Sequence, residues 1–301
     1  MSTTAVLRRF NRTYTQRIGV LEESFLGTGR PLAVSRLLFE IGAGDPVDGV
    51  TVRDLRERLD LDSGHLSRML RSLEAEGLVT TRPDPDDQRR RVVLLTDAGR
   101  GARQELDDRS EELATRIVAP LTDRQRERLA EALATADLLV RAATVRLREV
   151  AADDPGARVA LGRYLAEIDE RFPTGYAPGD PVAAAASGPG STYVLASSDG
   201  EPVAYGGIRP APAVDEHAIE IKRMWVHPDW RGAGLGSRML RHLEALARER
   251  GCTRLVLDTN EVLAEAIAMY ERSGYRAVPR YPGSDPHATH FFEKDVTDRP
   301  R

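Results

Sequence analysis

The spacing of apolar residues divides this 301-residue chain into a mainly helical first half and a second half in which strands alternate with helices. In the first half the pattern predicts a loosely amphipathic helix over Ala5–Phe25 and a second over Pro31–Ile41 carrying Leu32, Leu37, Leu38 and Ile41. A third, about three turns long, ends at Leu59; Thr51 is its N-cap candidate and Val52, Leu55 and Leu59 share one face. After Asp60-Leu-Asp62 a fourth runs from Ser63 to Glu76 with Leu66, Met69, Leu70 and Leu73 inward, and Gly77 stands where a helix ends. Strands Leu78–Arg82 and Arg89–Leu95 flank a Pro/Asp turn, and Thr96 opens another helix. Arg100–Leu147 is helical apart from a break at Pro120–Asp123, after which Gln125–Val140 keeps Leu129, Leu133, Ala136 and Val140 in step.

From Thr144 to Val150 apolar and charged residues alternate, which is the period of a half-buried strand, so a second domain is expected to begin near residue 143. The expected division is 1–142 and 143–301. No Gly/Ser or Pro-rich tether separates the two, so a tight junction is expected. A helix over Gly156–Phe172 follows, then a Gly/Pro/Ala-rich loop to Ser191, then strands Thr192–Ala196 and Pro202–Ile208 joined by Ser197–Gly200. The next strand, Ala218–Val226, changes parity: Ile219 and Ile221 lie on one phase, Met224 and Val226 on the other. A β-bulge near Lys222-Arg223 accounts for this, and bulges often sit beside active sites.

Length suits two domains that each bury a core. The net charge of −4 excludes a protein basic throughout but leaves room for a local basic patch. Cys252 is the single cysteine, so neither a disulfide framework nor a cysteine metal cluster is expected. No apolar run approaches membrane-spanning length and Met1–Asn11 lacks a signal-peptide core, so a cytoplasmic protein with no membrane partner is expected.

Two short helices with a tight turn, the second exposing Ser63, His65, Ser67, Arg68 and Arg71, suit a DNA major groove. A plain helical hairpin with a solvated basic face fits those two helices alone. The hairpin that follows adds Arg89-Arg-Arg91 at its tip, suited to the minor groove or flanking phosphates. The order of elements, with Leu66–Val79, Asp84–Arg91 and Leu95-Thr-Asp-Ala-Gly99, resembles the MarR family of transcriptional regulators over roughly residues 1–142. The resemblance implies a winged helix-turn-helix, a homodimer and a pseudo-palindromic double-stranded operator, with Arg68 and Arg71 in the major groove and Arg89 or Arg90 at the wing tip.

In the second half, a strand leads through Val226-His-Pro-Asp-Trp-Arg231-Gly-Ala-Gly234-Leu-Gly236 into an amphipathic helix with Leu235, Met239, Leu243 and Leu246. A glycine-rich turn at a helix N-terminus presents backbone N–H groups and the positive dipole end to an anion such as pyrophosphate. It is neither the dinucleotide fingerprint nor a P-loop. Together with strand Arg254–Asp258, Asn260 and the helix ending Ala268-Met-Tyr270-Glu-Arg-Ser-Gly274-Tyr275, it resembles the GNAT superfamily of acetyl-CoA-dependent N-acetyltransferases over about residues 143–296. An α+β mixed-sheet domain is thereby implied, with Met224 and Val226 on the pantetheine arm. The amides of Arg231, Gly232, Ala233, Gly234, Leu235 and Gly236 would hold the pyrophosphate, and Asn260 would contact the cofactor arm.

Direct amine attack on a thioester needs a proton acceptor and a donor to the leaving thiolate. The resemblance gives the donor role to Tyr270, for which an amphipathic core position under the cleft is the other reading. Glu220, beside the bulge, is the candidate base; a cross-strand partner for Lys or Arg is its other reading, and an amine of low pKa needs no base. Cys252 lacks a His/Asp pair, so no acyl-enzyme is expected. Arg171, Phe172 and Tyr176, with Tyr281, His287 and His290 of the tail, are expected to form an acceptor pocket for a small amine, and no metal is expected. The sequence thus reads as a regulator joined to an N-acetyltransferase acting on an amino acid, polyamine or antibiotic. Two alternatives stand beside it: a transcription factor whose second domain senses acetyl-CoA or an amine, and a protein N-acetyltransferase.

Overall fold

Ser2 accepts a hydrogen bond from the Ala5 amide and starts the first helix, α1 (Thr3–Arg17), in the computed structural model, which describes residues 2–20, 22–45, 47–85, 87–173, 175–176, 190–198 and 200–297. Most of the Gly/Pro/Ala-rich loop anticipated before Ser191, and single positions of the two hairpin turns, lie outside the described residues. α1 is shorter than the apolar pattern indicated. Gly19, with φ of +69°, takes the chain out of the helix, and only a short 3₁₀ turn at Phe25–Gly27 follows.

Contacts divide the chain into Met1–Arg128 and Leu129–Arg301. In the first unit, helices α2 (Leu32–Gly42), α3 (Val52–Leu59) and α4 (Ser63–Ala75) pack Leu37, Leu38, Ile41, Leu55, Leu66, Leu70 and Leu73 into one core. The caps are local and sequence-borne: Thr51 accepts from the Asp54 amide and Asp62 from the His65 amide. Strands β2 (Val79–Pro83) and β3 (Arg91–Leu95) form an antiparallel wing, and Thr96 caps helix α5 (Asp97–Val118). A two-residue strand β1 (Val50–Thr51) also pairs with β3, an element that periodicity cannot show because two residues carry no period.

Helix α6 (Asp123–Thr144) continues past the expected Val140, and the Val145 amide still donates to the Arg141 carbonyl, so strand β4 starts only at Leu147 and ends at Val150. The division of the chain falls inside α6, before the expected boundary at 142/143; Leu138, Ala142 and Val145 pack in the core of the second unit.

The second unit is built on a seven-stranded sheet in the order β4-β5-β6-β7-β8-β10-β9, with β5 Thr192–Ser198, β6 Glu201–Pro210, β7 Ala218–Val226, β8 Arg254–Thr259, β9 Arg276–Ala277 and β10 His290–Asp295. All pairs are antiparallel except β7–β8. Strand alternation sorts the residues onto two faces. Val194, Ala196, Ile219, Ile221, Leu255 and Leu257 meet helices α8 (Leu235–Glu249) and α9 (Ala264–Arg272), while Tyr193, Leu195, Tyr205 and Trp225 meet α7 (Pro155–Arg171). The architecture is a helical winged domain followed by an α+β mixed-sheet domain. Among the described residues no helix is long and apolar enough to cross a membrane.

Candidate functional site

β7 and β8 pair in parallel register from Ala218↔Arg254 to Ile221↔Leu257 and no further. Beyond that point Lys222–Val226 has a partner only in β6, so one backbone edge of β7 is exposed to whatever enters the opening. At the same place the β6–β7 register shifts between Tyr205 and Gly207, and Arg223 adopts a left-handed φ of +56°. The extra residue moves Met224 and Val226 to the α8 face and leaves Trp225 toward α7. The parity change in the sequence is this bulge.

The turn into α8 is glycine-rich and uncapped. Gly232 and Gly234 have φ of +79° and +81°, a Cβ on either would meet nothing within 4 Å, and α8 has no side-chain N-cap. Among the described residues no hydrogen bond is donated by the amides of Gly232, Ala233 and Gly234 or by those of Leu235 and Gly236 in the first helical turn, which helix geometry leaves without an intrahelical partner. These features fit a pyrophosphate and an extended pantetheine chain along the free edge of β7. Arg231 plays another part. Its amide donates to the Pro228 carbonyl, its Nε to the Val226 carbonyl at 3.0 Å, and its Nη2 to Glu167 at 2.7 Å, so this residue clamps the turn to α7.

Tyr270 on α9 is buried, against Tyr275 and Phe292 at ring-centroid distances of 5.9 and 6.1 Å. Among the described residues its hydroxyl has no hydrogen-bond partner. Burial, helped by the charge of Asp258, raises its phenol well above the ordinary value, so it stays protonated at neutral pH. Glu220, 1% exposed, has the surroundings of an ion-paired residue: Arg209 Nε donates to Oε2, and Lys222 Nζ and Tyr281 OH each lie 2.9 Å from Oε1. Lys222 also holds both oxygens of Asp258 at 2.9 Å, and Asp258 accepts the Asp285 amide at 2.6 Å. With Oε2 taken by Arg209 and Oε1 by Lys222 and Tyr281, Glu220 has the contacts of a cross-strand partner, which favours that reading over the base reading.

The acceptor residues divide into three groups. Phe172, Tyr176 and His287 converge, with Tyr176 5.5 Å from Phe172 and 5.2 Å from His287, and Tyr176 OH donates to Asp285 Oδ2 at 2.8 Å. Tyr281 sits beside Glu220, as described. Arg171 does not join them: its guanidinium ties the end of α7 to Glu265 and to the Val262 carbonyl. Nor does His290, which begins β10 and stacks near Phe292 on the α8–α9 face. The spacing of His287 and His290 looked local, but the strand start between them sends the two rings to different places. Asn260 bridges two backbone segments: Nδ2 donates to the His287 carbonyl at 2.7 Å and Oδ1 accepts from the Val262 amide.

Tyr164, Glu167, Arg209, Asp258 and Asp285 were not singled out as site residues by sequence reasoning, and Lys222 and Arg223 were named only as the place of a bulge. Lys222 and Asp258 carry a usable signal, since each lies two residues from an inward position on the face of Glu220 or Val256. The others depend on contacts across the sheet.

In the first unit, Ser63, Ser67, Arg68 and Arg71 are exposed along α4, His65 is half-buried, and Arg89 and Arg90 stand exposed at the wing turn. Arg71 Nε donates to the Ser67 carbonyl and Arg90 pairs with Asp87 at 3.3 Å. The exposed arginines are anchored only locally and present no buried contact.

Residues 162–275 match the model of the acetyltransferase (GNAT) family and residues 28–90 that of the MarR family. The uncharacterized N-acetyltransferase YjgM of Escherichia coli is 31% identical over 139 residues, 45% of this chain and 83% of that protein. Streptothricin acetyltransferase of Streptomyces lavendulae is 31% identical over 130 residues, 43% of this chain and 61% of that protein. The HTH-type transcriptional regulator TtmR of Methylorubrum extorquens is 42% identical over 60 residues, 20% of this chain and 31% of that protein. The chain therefore belongs to the GNAT acetyltransferase family by its second half and carries a MarR-family winged helix in its first.

Proposed function

We propose that this protein is a DNA-binding regulator that also transfers an acetyl group from acetyl-CoA to the primary amine of a small molecule. The observation that carries the catalytic part is the opening between β7 and β8, with the uncapped glycine turn at one end and the protonated Tyr270 phenol on α9. Acetyl-CoA, when bound, supplies a thioester. The amides of Gly232–Gly236 hold its pyrophosphate, and the free edge of Met224–Val226 lines up its arm. Tyr270 holds a proton at Oη for the departing thiolate. Glu220 keeps Arg209, Lys222 and Tyr281 in place, and the proton of the amine leaves to water, which requires an acceptor that reaches the site neutral.

A small acceptor is favoured by the aromatic cluster of Phe172, Tyr176 and His287, and the name of the streptothricin enzyme points the same way. The DNA part rests on the exposed arginines of α4 and the wing. A homodimer is supported by α1, which buries no residue and exposes Val6, Leu7, Phe10 and Tyr14. Acetyl-CoA-dependent thiol release, measured on the wild type and on Tyr270→Phe against amino acids, polyamines and aminoglycosides, tests the reading. Turnover of one class that the variant impairs supports it. Bound acetyl-CoA without turnover of any amine makes the second domain a sensor.

A further inference from the structure

On the α7 face of the sheet, nearly every charged group already has its opposite. Arg209 and Lys222 share Glu220, Lys222 also holds Asp258, Asp285 is taken by Tyr176 and by the His287 amide, and Arg231 is bound to Glu167. Arg223 is the exception among the described residues. Its guanidinium makes no hydrogen bond or ion pair with them, and Nη1 is buried with nothing to donate to.

Its location is specific. Arg223 is the bulge residue itself, two residues past the last β7–β8 pair, in a left-handed conformation that disfavours any side chain with a Cβ. Its charge reaches Tyr164, Tyr176 and Tyr205, and Tyr164 in turn lies near Tyr270 and Asp258. The unpaired cation and the candidate proton donor thus border the same tyrosine. A guanidinium presents a planar fork of N–H groups that matches a carboxylate, and in this half-buried residue the arm turned inward, Nη1, has no acceptor among the described residues.

Resting on the acetyltransferase reading, we infer that the acceptor is an amine bearing a carboxylate, an amino acid, and that Arg223 binds the carboxylate while the amine is directed toward the opening beside Tyr270. The same charge discriminates against the other small amines. A polyamine or an aminoglycoside brings further cations and no anion, and so places like charge against Arg223.

The test uses the full-length protein. Thiol release from acetyl-CoA is followed with α-amino acids, each compared with its carboxamide and its decarboxylated amine, on the wild type, Arg223→Gln and Arg223→Lys. The expected result is a preference for the free acid, a rise in its KM of about 100-fold in R223Q, and partial return of the preference in R223K, which restores charge and separates a binding loss from misfolding. Equal use of acid and carboxamide by the wild type, or an acid KM in R223Q equal to that of the wild type, overturns the inference while leaving the acetyltransferase standing. Failure of the underlying reading looks different: no amine is turned over at all. Calorimetric titration with N-acetyl α-amino acids then decides on its own, because binding that R223Q abolishes supports the carboxylate site, and absent or unaltered binding overturns it.

Discussion

The two halves keep their functional side chains in opposite surroundings. In the winged helix the arginines of α4 and of the wing stand in solvent, held by single local bonds such as Arg71 to the Ser67 carbonyl. In the acetyltransferase half the polar residues are buried or half-buried and bonded to each other, from Arg209 through Glu220 and Lys222 to Asp258 and Asp285. An exposed group with only local bonds can be changed with little loss to the fold. A buried group is also part of the fold, so its removal exposes whatever it was satisfying.

The largest expected effect lies at the most buried candidate. Tyr270→Phe is expected to lower the rate of thiol release by about 10³-fold, with acetyl-CoA affinity retained, because only the hydroxyl is removed and no described residue depends on it. An equal rate in the two proteins would return Tyr270 to the role of a core residue. Its raised phenol gives a second reading of the same point. Since burial keeps the proton on, the rate is expected not to fall as pH rises through about 10, where an ordinary tyrosine ionises.

Glu220→Gln addresses the network itself. Withdrawing a 1%-exposed carboxylate from Arg209 and Lys222 is expected to cost about 3 kcal/mol of stability in chemical denaturation. A base without a structural role would show normal stability and a lost alkaline activation instead. The contrasting experiment in the other half is Arg68→Ala or Arg71→Ala. Each is expected to weaken operator binding by about 10-fold and to flatten its salt dependence, with thermal stability close to wild type. Instability of those variants would mean that the surface of α4 is less independent of its core than its exposure indicates.

The smallest effect is the response to acid. Arg171 hydrogen bonds hold Glu265 below the usual carboxylate range; for Glu167 burial acts upward, but its hydrogen bond to Arg231, with Arg171 and Trp225, outweighs it. A depressed folded-state pKa stabilises the protein above the unfolded value, about 4.3, and that contribution is lost as pH falls through the folded value. The thermal midpoint is expected to decline from about pH 5 toward pH 3, and less steeply in Arg171→Gln. Parallel declines would remove this ion pair from the account.

Period and local chemistry were sufficient to recover most of the elements, and the two family resemblances carried them to both architectures. Leu66, Met69, Leu70 and Leu73 mark α4 on spacing alone, Asp62 caps it, and the strand at Ala218–Val226 appears at its actual limits. Even the bulge was legible, because one extra residue inverts the two-residue period of a strand from Met224 onward. These features are local: the side chain, its nearest neighbours and the repeat of the backbone determine them.

What each buried polar residue does was not local, and it was decided by the tertiary structure. Glu220 became one end of an ion network because β6 brings Arg209 opposite it and the tail brings Tyr281. Arg171 and Asn260 became ties within the fold, and His290 left the pocket when β10 began at that residue. Arg223 is the reverse case, a residue that sequence reasoning placed only in a bulge and that the surrounding pairs leave without a partner. A charge has no period, and its role depends on which opposite charge the sheet brings within reach. The sequence by itself therefore determined where most helices and strands, the turn glycines and the exposed arginines lie, and the tertiary structure alone decided which charges are satisfied and, among the described residues, that Arg223 keeps a buried nitrogen without a partner.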